Sequence, residues 1–382
     1  PPSWDHEEEH MKDSISTARR SRLVTLAALV GVGGLALAGC SVTASQDAAS
    51  TSPSGAATSA AATAGGSVVL VTHDSFSLSE ELIAQFEKDT GLTLTQVAPG
   101  DAGTLVNQLI LTKDAPIGDV VFGIDNSFAS RAIDEGVLAP YTSAALPADA
   151  ASYEVDGSGS LTPIDTGDVC VNVDDAWFAE KGLAAPTTLE DLTKPEYKDL
   201  LVVENPATSS PGLAFMLGTI GSFGVDGWTD YWSALKANGV AVAASWSDAY
   251  YVDFSGPSSE GDRPLVVSYS SSPPYEIPDG GDTPPTSVML DTCFRQVEYA
   301  GVLAGAKNPE GAQKVIDWLL SPAVQADIPE SMYVYPVDSS VALPDTWATF
   351  APQATSPFTV PPADIAENRD AWITTWTDTV VG

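Results

Sequence analysis

The chain has 382 residues, of which 51 are acidic and 16 basic, and its formal net charge at pH 7 is −35. A surface this negative repels nucleic acids and phospholipid headgroups, which excludes both as partners of the folded surface. The excess charge either attracts cations or, more simply, keeps the surface soluble.

The first 40 residues predict an export signal. Residues 1–10 precede Met11 and are left out of the fold. An arginine-rich stretch after Met11 leads into an apolar run at residues 23–37, which is shorter than the roughly 20 residues that a spanning helix needs. The sequence Leu-Ala-Gly-Cys ending at Cys40 resembles the bacterial lipobox. We therefore expect lipidation of Cys40 and a secreted protein anchored by lipid to the outer face of the cytoplasmic membrane, with an uncleaved anchor helix as the alternative.

Composition divides the remainder into a tether and a folded body. Residues 41–66 are mostly Ala, Ser, Thr and Gly, which cannot bury enough apolar surface to fold, so they predict a disordered tether. Folded sequence begins near Val68 and leaves about 315 residues, enough for two domains. We expect lobe 1 at residues 67–165 plus about 300–382, and lobe 2 at residues 166–299.

Two cysteines remain in the body once Cys40 is lipidated. Cys170 and Cys293 each lie in an apolar, strand-like run. An even pair in an oxidising compartment predicts a disulfide between them, and two separate buried thiols are the alternative.

Strand and helix signals alternate along the body. The first set predicts strands at 67–73, 92–98 and 119–124, and helices at 78–91, 104–113 and 127–136. The second set predicts strands at 200–204, 240–244, 264–269 and 293–305, and helices at 212–224, 227–239, 310–322 and 321–329. This alternation predicts a mostly parallel sheet covered on both faces. Two such sets joined by two long extended segments predict an α/β protein with two lobes, a hinge, and a ligand cleft at the carboxyl ends of strands.

Catalytic signatures are few. His73 is the only histidine after Gly66, it does not follow a nucleophile elbow, and histidine-based zinc sites need more than one. The sequence has no Walker A motif and no G-x-G-x-x-G after a strand. Two carboxylates could act as a hydrolase pair, but no pair is singled out. We expect a protein that is not an enzyme and has no metal or cofactor.

Aromatic and small hydroxyl residues gather where predicted strands end. These clusters lie at 71–76, 98–104, 122–128, 205–215, 245–251, 268–275 and 332–337. Free backbone N–H groups at helix starts suit an anion, and the hydroxyls of Ser209, Ser210 and Ser272 can join them. For each serine, plain N-capping is the alternative role.

Taken in order, the segments THDSF, GDAGTLVNQL, DVVFGIDN, PATSSPG, WSDAY, SYSSSPPY and MYVYPV resemble the thiamine-binding substrate-binding proteins of ABC importers. That family belongs to a larger group with ferric-ion and polyamine binders. The resemblance extends from about Val68 to the C-terminal AWITTWTDTVV, and its most selective part is W-S-x-A-Y combined with S-Y-x-x-S-P-x-Y. It implies a type II periplasmic-binding-protein fold and a monomer that captures thiamine or its phosphates and delivers it to ABC permease subunits.

The resemblance also implies ligand contacts. They fall at His73, Asp101, Ala102, Gly103, Ser209, Ser210, Trp246, Tyr269, Ser272, Tyr275 and Tyr333. His73 stands where the family commonly has tyrosine, and Tyr333 where it commonly has tryptophan. The aromatic side chains would stack on the rings of thiamine and attract its thiazolium cation, while core packing is the alternative for each one taken singly. Asp101 would favour the positive ring or accept from the pyrimidine amine, and the serines would hold the polar tail.

Two other ligand classes remain open for the same fold. Tyr250 and Tyr251 form an adjacent pair like the one that ferric-ion binders use. A polyamine or another pyrimidine compound is the second alternative.

Overall fold

The computed structural model describes residues 66–155 and 157–382. The export signal, the lipidation of Cys40 and the tether up to residue 65 lie outside the described residues, so the expectations for them stay predictions. Within the described ranges, no helix combines the length and the apolar character needed to cross a membrane.

The sheet contains ten strands within the described part of the chain. They are β1 (Ser67–Val71), β2 (Thr93–Val97), β3 (Val120–Asp125), β4 (Leu138–Ala139), β5 (Thr162–Asp174), β6 (Leu201–Glu204), β7 (Ala241–Ala243), β8 (Leu265–Tyr269), β9 (Thr286–Leu303) and β10 (Tyr335–Pro336). Their order across the sheet is β2-β1-β3-β9-β5-β8-β6-β7, with β4 added beside β9 and β10 beside β5.

The helices follow the expected alternation. They are α1 (Glu80–Thr90), α2 (Ala102–Leu111), α3 (Ala129–Asp134), α4 (Asp175–Lys181), α5 (Ser210–Ala237), α6 (Trp246–Asp248), α7 (Pro309–Leu319), α8 (Pro322–Ser331), α9 (Trp347–Phe350) and α10 (Pro362–Val380). Gly91 ends α1 in the left-handed region at φ 68°, as its position after the amphipathic run predicted. Element α5 consists of two helical parts that meet at Gly224, which takes non-helical angles, so the two helices expected at 212–224 and 227–239 are confirmed.

The expectation of a mostly parallel sheet is wrong at its centre. Strands β1, β2 and β3 pair in parallel and form the first parallel group. Strands β6, β7 and β8 also pair in parallel and form the second parallel group. Between the groups, β9 is antiparallel to β3 and β5, and β5 is antiparallel to β8. The reason is topological: the chain passes from one group to the other along β5 and returns along β9, so these strands run in opposite directions.

Both central strands are long and almost entirely buried. β5 has 13 residues and β9 has 18, and they are the two extended segments that the sequence predicted between its two sets of units. A disulfide joins Cys170 of β5 to Cys293 of β9. Helix α10 packs against α5, with Trp376 fully buried against Trp232 at a ring distance of 5.3 Å.

Candidate ligand-binding site

Polar and aromatic side chains gather at the carboxyl ends of strands in both parallel groups. Of the residues expected to bind ligand, His73 follows β1 and Tyr269 ends β8; Asp125, which ends β3, and Glu204, which ends β6, were not among those expected. In open α/β sheets, ligands bind at this edge because loops and helix starts meet there. The edge is therefore where the site is assembled.

Asp101 connects the two groups through backbone amides. It is the N-cap of α2, and its Oδ1 accepts from Ala102 N at 2.6 Å. The same oxygen accepts from Ser210 N at 3.3 Å, while Oδ2 accepts from Trp246 N at 3.0 Å. Ser210 and Trp246 begin α5 and α6 beside the second parallel group. The carboxylate that the resemblance assigned to ligand thus has protein donors on both oxygens.

Asp125 makes a second connection of the same kind. Its Oδ1 accepts from Ser127 N at 2.9 Å and from Phe128 N at 3.0 Å, and its Oδ2 accepts from the Ser210 hydroxyl. Burial raises the pKa of Asp125, although these donors oppose the shift. The start of α5 is therefore held by two carboxylates from the first group.

Glycine is required at position 103 because the two groups approach closely there. A Cβ on Gly103 would lie 2.8 Å from Ala207 O and 2.8 Å from the carbonyl carbon of Thr208. Thr104 N donates to Thr208 O at 3.2 Å across the same contact. Both sides are backbone, so neither can move away cheaply.

The predicted serines divide into different environments. The Ser272 hydroxyl lies 2.9 Å from the Ser268 hydroxyl and accepts from Tyr269 N at 3.2 Å. Ser209 precedes α5 as its N-cap, yet its side chain makes no capping bond, and its buried hydroxyl has no hydrogen-bond partner within the described residues. The Ser210 hydroxyl donates to Asp125, so only Ser209 of the three serines keeps an uncommitted hydroxyl. None of the three side chains makes a helix-capping bond, so the N-capping alternative is wrong for all three.

Aromatic rings form a connected cluster beside this polar contact. Trp246 stacks on Tyr250 at 5.1 Å and 20°, and its edge meets Tyr251 at 5.3 Å. Tyr251 contacts Tyr275 at 6.3 Å, and Tyr275 contacts Tyr333 at 5.1 Å. We call these five residues the aromatic cluster. Its members come from segments far apart in sequence, which the fold brings to one place.

Tyr269 lies between the aromatic cluster and the central strands. Its ring is 6.4 Å from Trp246, and its hydroxyl donates to Gln296 Oε1 at 3.0 Å. The indole Nε1 of Trp246 donates to Ser268 Oγ at 2.9 Å on the neighbouring part of β8. Trp246 is thus oriented by its backbone N–H, by its indole N–H and by the rings around it.

Tyr333 adopts a backbone conformation that is unusual for its residue type. Its φ is 55°, in the left-handed region, which costs a tyrosine on the order of 1 kcal/mol. Its ring stacks near Trp347 at 6.1 Å and 29°, and Tyr335 meets the same tryptophan at 5.2 Å. Trp347 was missed because nothing in its local sequence marks it, and Tyr251 was considered only as half of a metal-binding pair.

The charges of Asp101 and Asp248 act on Asp74 at this edge of the sheet, and we call these three residues the acidic rim. No cation is among the charges that act on Asp74. Asp74 remains solvent-exposed, yet desolvation by the surrounding protein, followed by the charges of Asp101 and Asp248, raises its pKa to about 6. Asp74 follows β1 and Asp248 ends α6, so the repulsion acts between the two groups. A bound cation would relieve that repulsion.

His73 lies at the inner end of the site beside buried carboxyls. Its Nε2 is 3.5 Å from Glu298 Oε1, and its Nδ1 accepts from Ser75 N at 3.2 Å. Glu298 is paired in register with Asp165 on β5 and with Asp125 on β3. Burial raises the pKa of Asp165 to about 7 and raises that of Glu298 well above its usual range. His73 therefore contacts the central strands as well as the site edge.

The tyrosine pair considered for iron is poorly suited to form phenolates. Tyr250 is 2% exposed, and burial, together with the neighbouring Glu276, raises its pKa well above 10. Burial and Tyr275 raise the pKa of Tyr251 in the same way. Within residues 66–155 and 157–382, no group of three or more His, Cys, Asp or Glu side chains is arranged to hold a metal ion.

Comparison with known proteins defines the class. Residues 115–368 match the family described as bacterial extracellular solute-binding protein. The match spans more than half of the chain, and the chain belongs to this family.

Individual relatives show which members of this family the chain resembles. A thiamine-binding periplasmic protein of Escherichia coli (strain K12) is 32% identical over 298 residues, which cover 76% of this chain and 85% of the relative. A solved periplasmic thiamin binding protein is similar with a TM-score of 0.71 at 28% identity, covering 82% of this chain and 96% of that one. The iron-bound HitA from Pseudomonas aeruginosa is similar with a TM-score of 0.65 at 19% identity, covering 82% and 99%, and shows the fold alone. The expected type II periplasmic-binding-protein fold is thus confirmed.

Proposed function

We propose that this protein captures thiamine or a thiamine phosphate between its two parallel groups and delivers it to the permease of an ABC importer. The observation that carries the proposal is the aromatic cluster next to the acidic rim, in a chain similar to thiamine-binding proteins over most of their length. Thiamine combines flat rings with a permanent positive charge, and both features match what the site offers.

Each part of the ligand has a suitable counterpart. Faces of Trp246, Tyr275 and Tyr333 can stack on the rings and attract the thiazolium cation, at roughly 0.5 to 2 kcal/mol per cation–π contact. The uncommitted hydroxyl of Ser209 lies at the start of α5, where helix N–H groups favour the hydroxyl or phosphate tail. Asp101 acts mainly by fixing α5 and Trp246, which revises its proposed role from ligand acceptor to positioning group.

Transport follows from closure between two lobes. We assign residues 67–165 plus about 300–382 to lobe 1 and 166–299 to lobe 2, with the central strands β5 and β9 as the hinge. A ligand that contacts both lobes stabilises the closed form by its difference in affinity for the two states, and the closed surface is what a permease recognises. The protein would act as a monomer, bind without transforming its cargo, and be held at the membrane by a lipid on Cys40.

The same geometry favours thiamine over iron. Ferric binding through adjacent tyrosines needs phenolates, whereas burial and Glu276 keep Tyr250 protonated. A polyamine would satisfy the acidic rim but would leave the stacked aromatic faces without a function.

Tryptophan fluorescence of the purified protein tests the proposal. Thiamine should quench the emission saturably, and ferric citrate and spermidine should not. Trp246→Ala should weaken thiamine binding by about tenfold to a hundredfold, the equivalent of about 1.4 to 2.8 kcal/mol. Trp177→Phe removes a tryptophan on α4, away from the cluster, and should leave the titration unchanged. A response to spermidine, or a visible colour with iron, in place of a thiamine response would contradict the proposal that thiamine is the ligand.

A further inference from the structure

Glu204 is a buried carboxyl that no part of the proposed site has yet used. It is the last residue of β6, it is 0% exposed, and no other described residue gives either of its carboxylate oxygens a hydrogen-bond partner. Its own backbone N–H is a donor that opposes the effect of burial on its pKa. Burying an unpaired carboxyl is costly, and strongly perturbed carboxyls in clefts are often functional.

The alternation of β6 places Glu204 on the face that carries the aromatic cluster. Val202 packs in a cluster with Tyr250 and Phe254, against which Trp246 also packs. Because side chains two residues apart share a face of a strand, Glu204 points to that same side. The aromatic cluster and the unpartnered carboxyl therefore share one side of the sheet.

Pairing with β8 brings Glu204 beside Trp246. Val202 is in register with Val266, so continuing the register by two residues sets Glu204 beside Ser268. The Ser268 hydroxyl is the group that accepts from the indole N–H of Trp246. By this register, Glu204 is next to the residue that orients the ring expected to stack on the cargo.

The charges around Glu204 are negative. Burial raises the pKa of Glu204 well above its usual range, and the charge of Asp101 raises it further. Its registered neighbour on β7 is the neutral Ala243. The register with β8, continued beyond Val202 and Val266, puts the neutral Ser268 on its other side. The backbone of α5 packs against the end of β6, since a Cβ on Gly212 would lie 2.6 Å from the backbone carbonyl oxygen of Glu204. No cation is among the charges that act on this carboxyl.

We propose that Glu204 is a specificity-determining residue whose carboxylate holds the positive charge of the cargo from beneath Trp246. This inference rests on the proposed function and extends it. Without cargo, the carboxyl keeps its proton. When a permanently cationic ring enters, the O–H bond of Glu204 breaks, the proton passes to the buffer, and carboxylate and cation form a neutral pair. Binding should therefore release about one proton, and a cargo with a neutral ring should be disfavoured.

Calorimetric titration with thiamine at pH 6.5, in two buffers of different ionisation enthalpy, measures this proton directly. The wild-type protein should release about one proton per thiamine bound. Glu204→Gln should release only the fraction of a proton that Asp74 gives up when the cation relieves its repulsion. It should also bind thiamine about tenfold to a hundredfold more weakly, and lose most of its preference for thiamine over an analogue with an uncharged ring. Asp165→Asn is the control, because it removes another fully buried carboxyl, on β5, and should leave the proton release intact.

The outcomes separate this inference from the function on which it rests. Absence of thiamine binding by the wild-type protein would overturn the proposed function. Wild-type binding, with unchanged affinity and unchanged proton release in Glu204→Gln, would overturn the role of Glu204 alone. Should Glu204→Gln fail to fold, Glu204→Asp decides: proton release retained with weaker affinity supports the proposal, and unchanged affinity without proton release contradicts it.

Discussion

The two parallel groups bury carboxyls at the same edge of the sheet but satisfy them differently. Asp101 and Asp125, from the first group, accept from amides and a hydroxyl at the start of α5 and α6. Glu204, from the second group, has no partner among the other described residues. Carboxyls whose partners are already in the protein hold its parts in position. The burial cost of an unpartnered carboxyl is lowered either by keeping its proton or by pairing with a charge from another molecule.

This difference divides the motif residues by what they do. Asp101, Gly103 and Ser210 form the contact between the groups and fix its geometry. The aromatic cluster and Glu204 offer ring faces and charge to a ligand. Variants of the first kind should change stability, and variants of the second kind should change affinity and selectivity.

Removal of the Asp101 carboxylate should have the largest effect on stability. Asp101→Ala leaves three backbone N–H groups without their acceptor, and bonds to charged groups contribute roughly 1.5 to 3 kcal/mol each. The free energy of unfolding in urea should fall by about 5 kcal/mol. Asp101→Asn keeps one acceptor oxygen and should lose about half as much. If Asp101→Ala keeps its stability but loses thiamine binding, Asp101 contacts the ligand and does not mainly position the protein.

Asp165 is a fully buried carboxyl of the central strands beside Glu298, and it should make stability depend on pH. Its pKa rises from 3.8 to about 7 on folding because of burial. The folded protein then holds this proton more tightly than the unfolded chain, so the stabilisation is complete below about pH 4 and is lost as pH rises to about 7. Asp165→Asn should match the wild type at pH 4 and exceed it by up to about 4 kcal/mol at pH 8.

Urea unfolding at pH 4, 6 and 8 checks this slope. Parallel profiles for Asp165→Asn and the wild type would mean that Glu298 offsets the cost of burying Asp165, which would then belong with Asp101 and Asp125. Asp125→Asn serves as the comparison, since its carboxyl already has donors and its removal should destabilise at pH 4. Because burial raises the pKa of Asp125, that loss should become smaller as pH rises.

Local sequence specified the elements well and their pairing poorly. The amphipathic run before Gly91 and the apolar run of β1 encode helix and strand through periodicity, and both formed. The directions of β5 and β9 depend on which group each strand joins, and no local pattern carries that information. The parallel sheet predicted from βα alternation therefore holds only within each group.

Prediction of the site from sequence was limited in the same way, because local patterns do not show which residues the fold brings into contact. Family motifs placed Asp101 and Trp246 at one location, yet only the fold revealed that the carboxylate accepts the amide of the tryptophan. Glu204 escaped notice because it ends the apolar run LLVVE, where a single acidic residue reads as a strand end at the surface. Its burial and its lack of a partner are properties of the tertiary structure alone.

A substitution at Gly103 tests the close contact between the two groups, and it should have an intermediate effect on stability. Gly103→Ala forces a Cβ within 2.8 Å of backbone on the other group, and such overpacking costs typically about 1 to 3 kcal/mol. We expect the loss in thermal or urea unfolding, together with weaker thiamine binding. Gly227→Ala is the control on α5: its nearest atom is 3.5 Å away, so it should stabilise by up to about 1 kcal/mol. Equal behaviour of the two variants would mean that the groups separate readily at this contact.

The smallest expected effect tests whether hydroxyls contribute to the contact at all. Ser75 Oγ, after β1, lies 3.3 Å from Ser247 Oγ on α6. One neutral hydrogen bond contributes about 0.5 to 1.5 kcal/mol, so Ser75→Ala and Ser247→Ala should each weaken thiamine binding by a few-fold. If the hydroxyls bond only to each other, the double variant should lose no more than either single one. Additive losses would show that each serine acts on its own, and the connection between the groups would then rest on the Asp101 and Asp125 carboxylates and on backbone contacts such as Thr104 to Thr208.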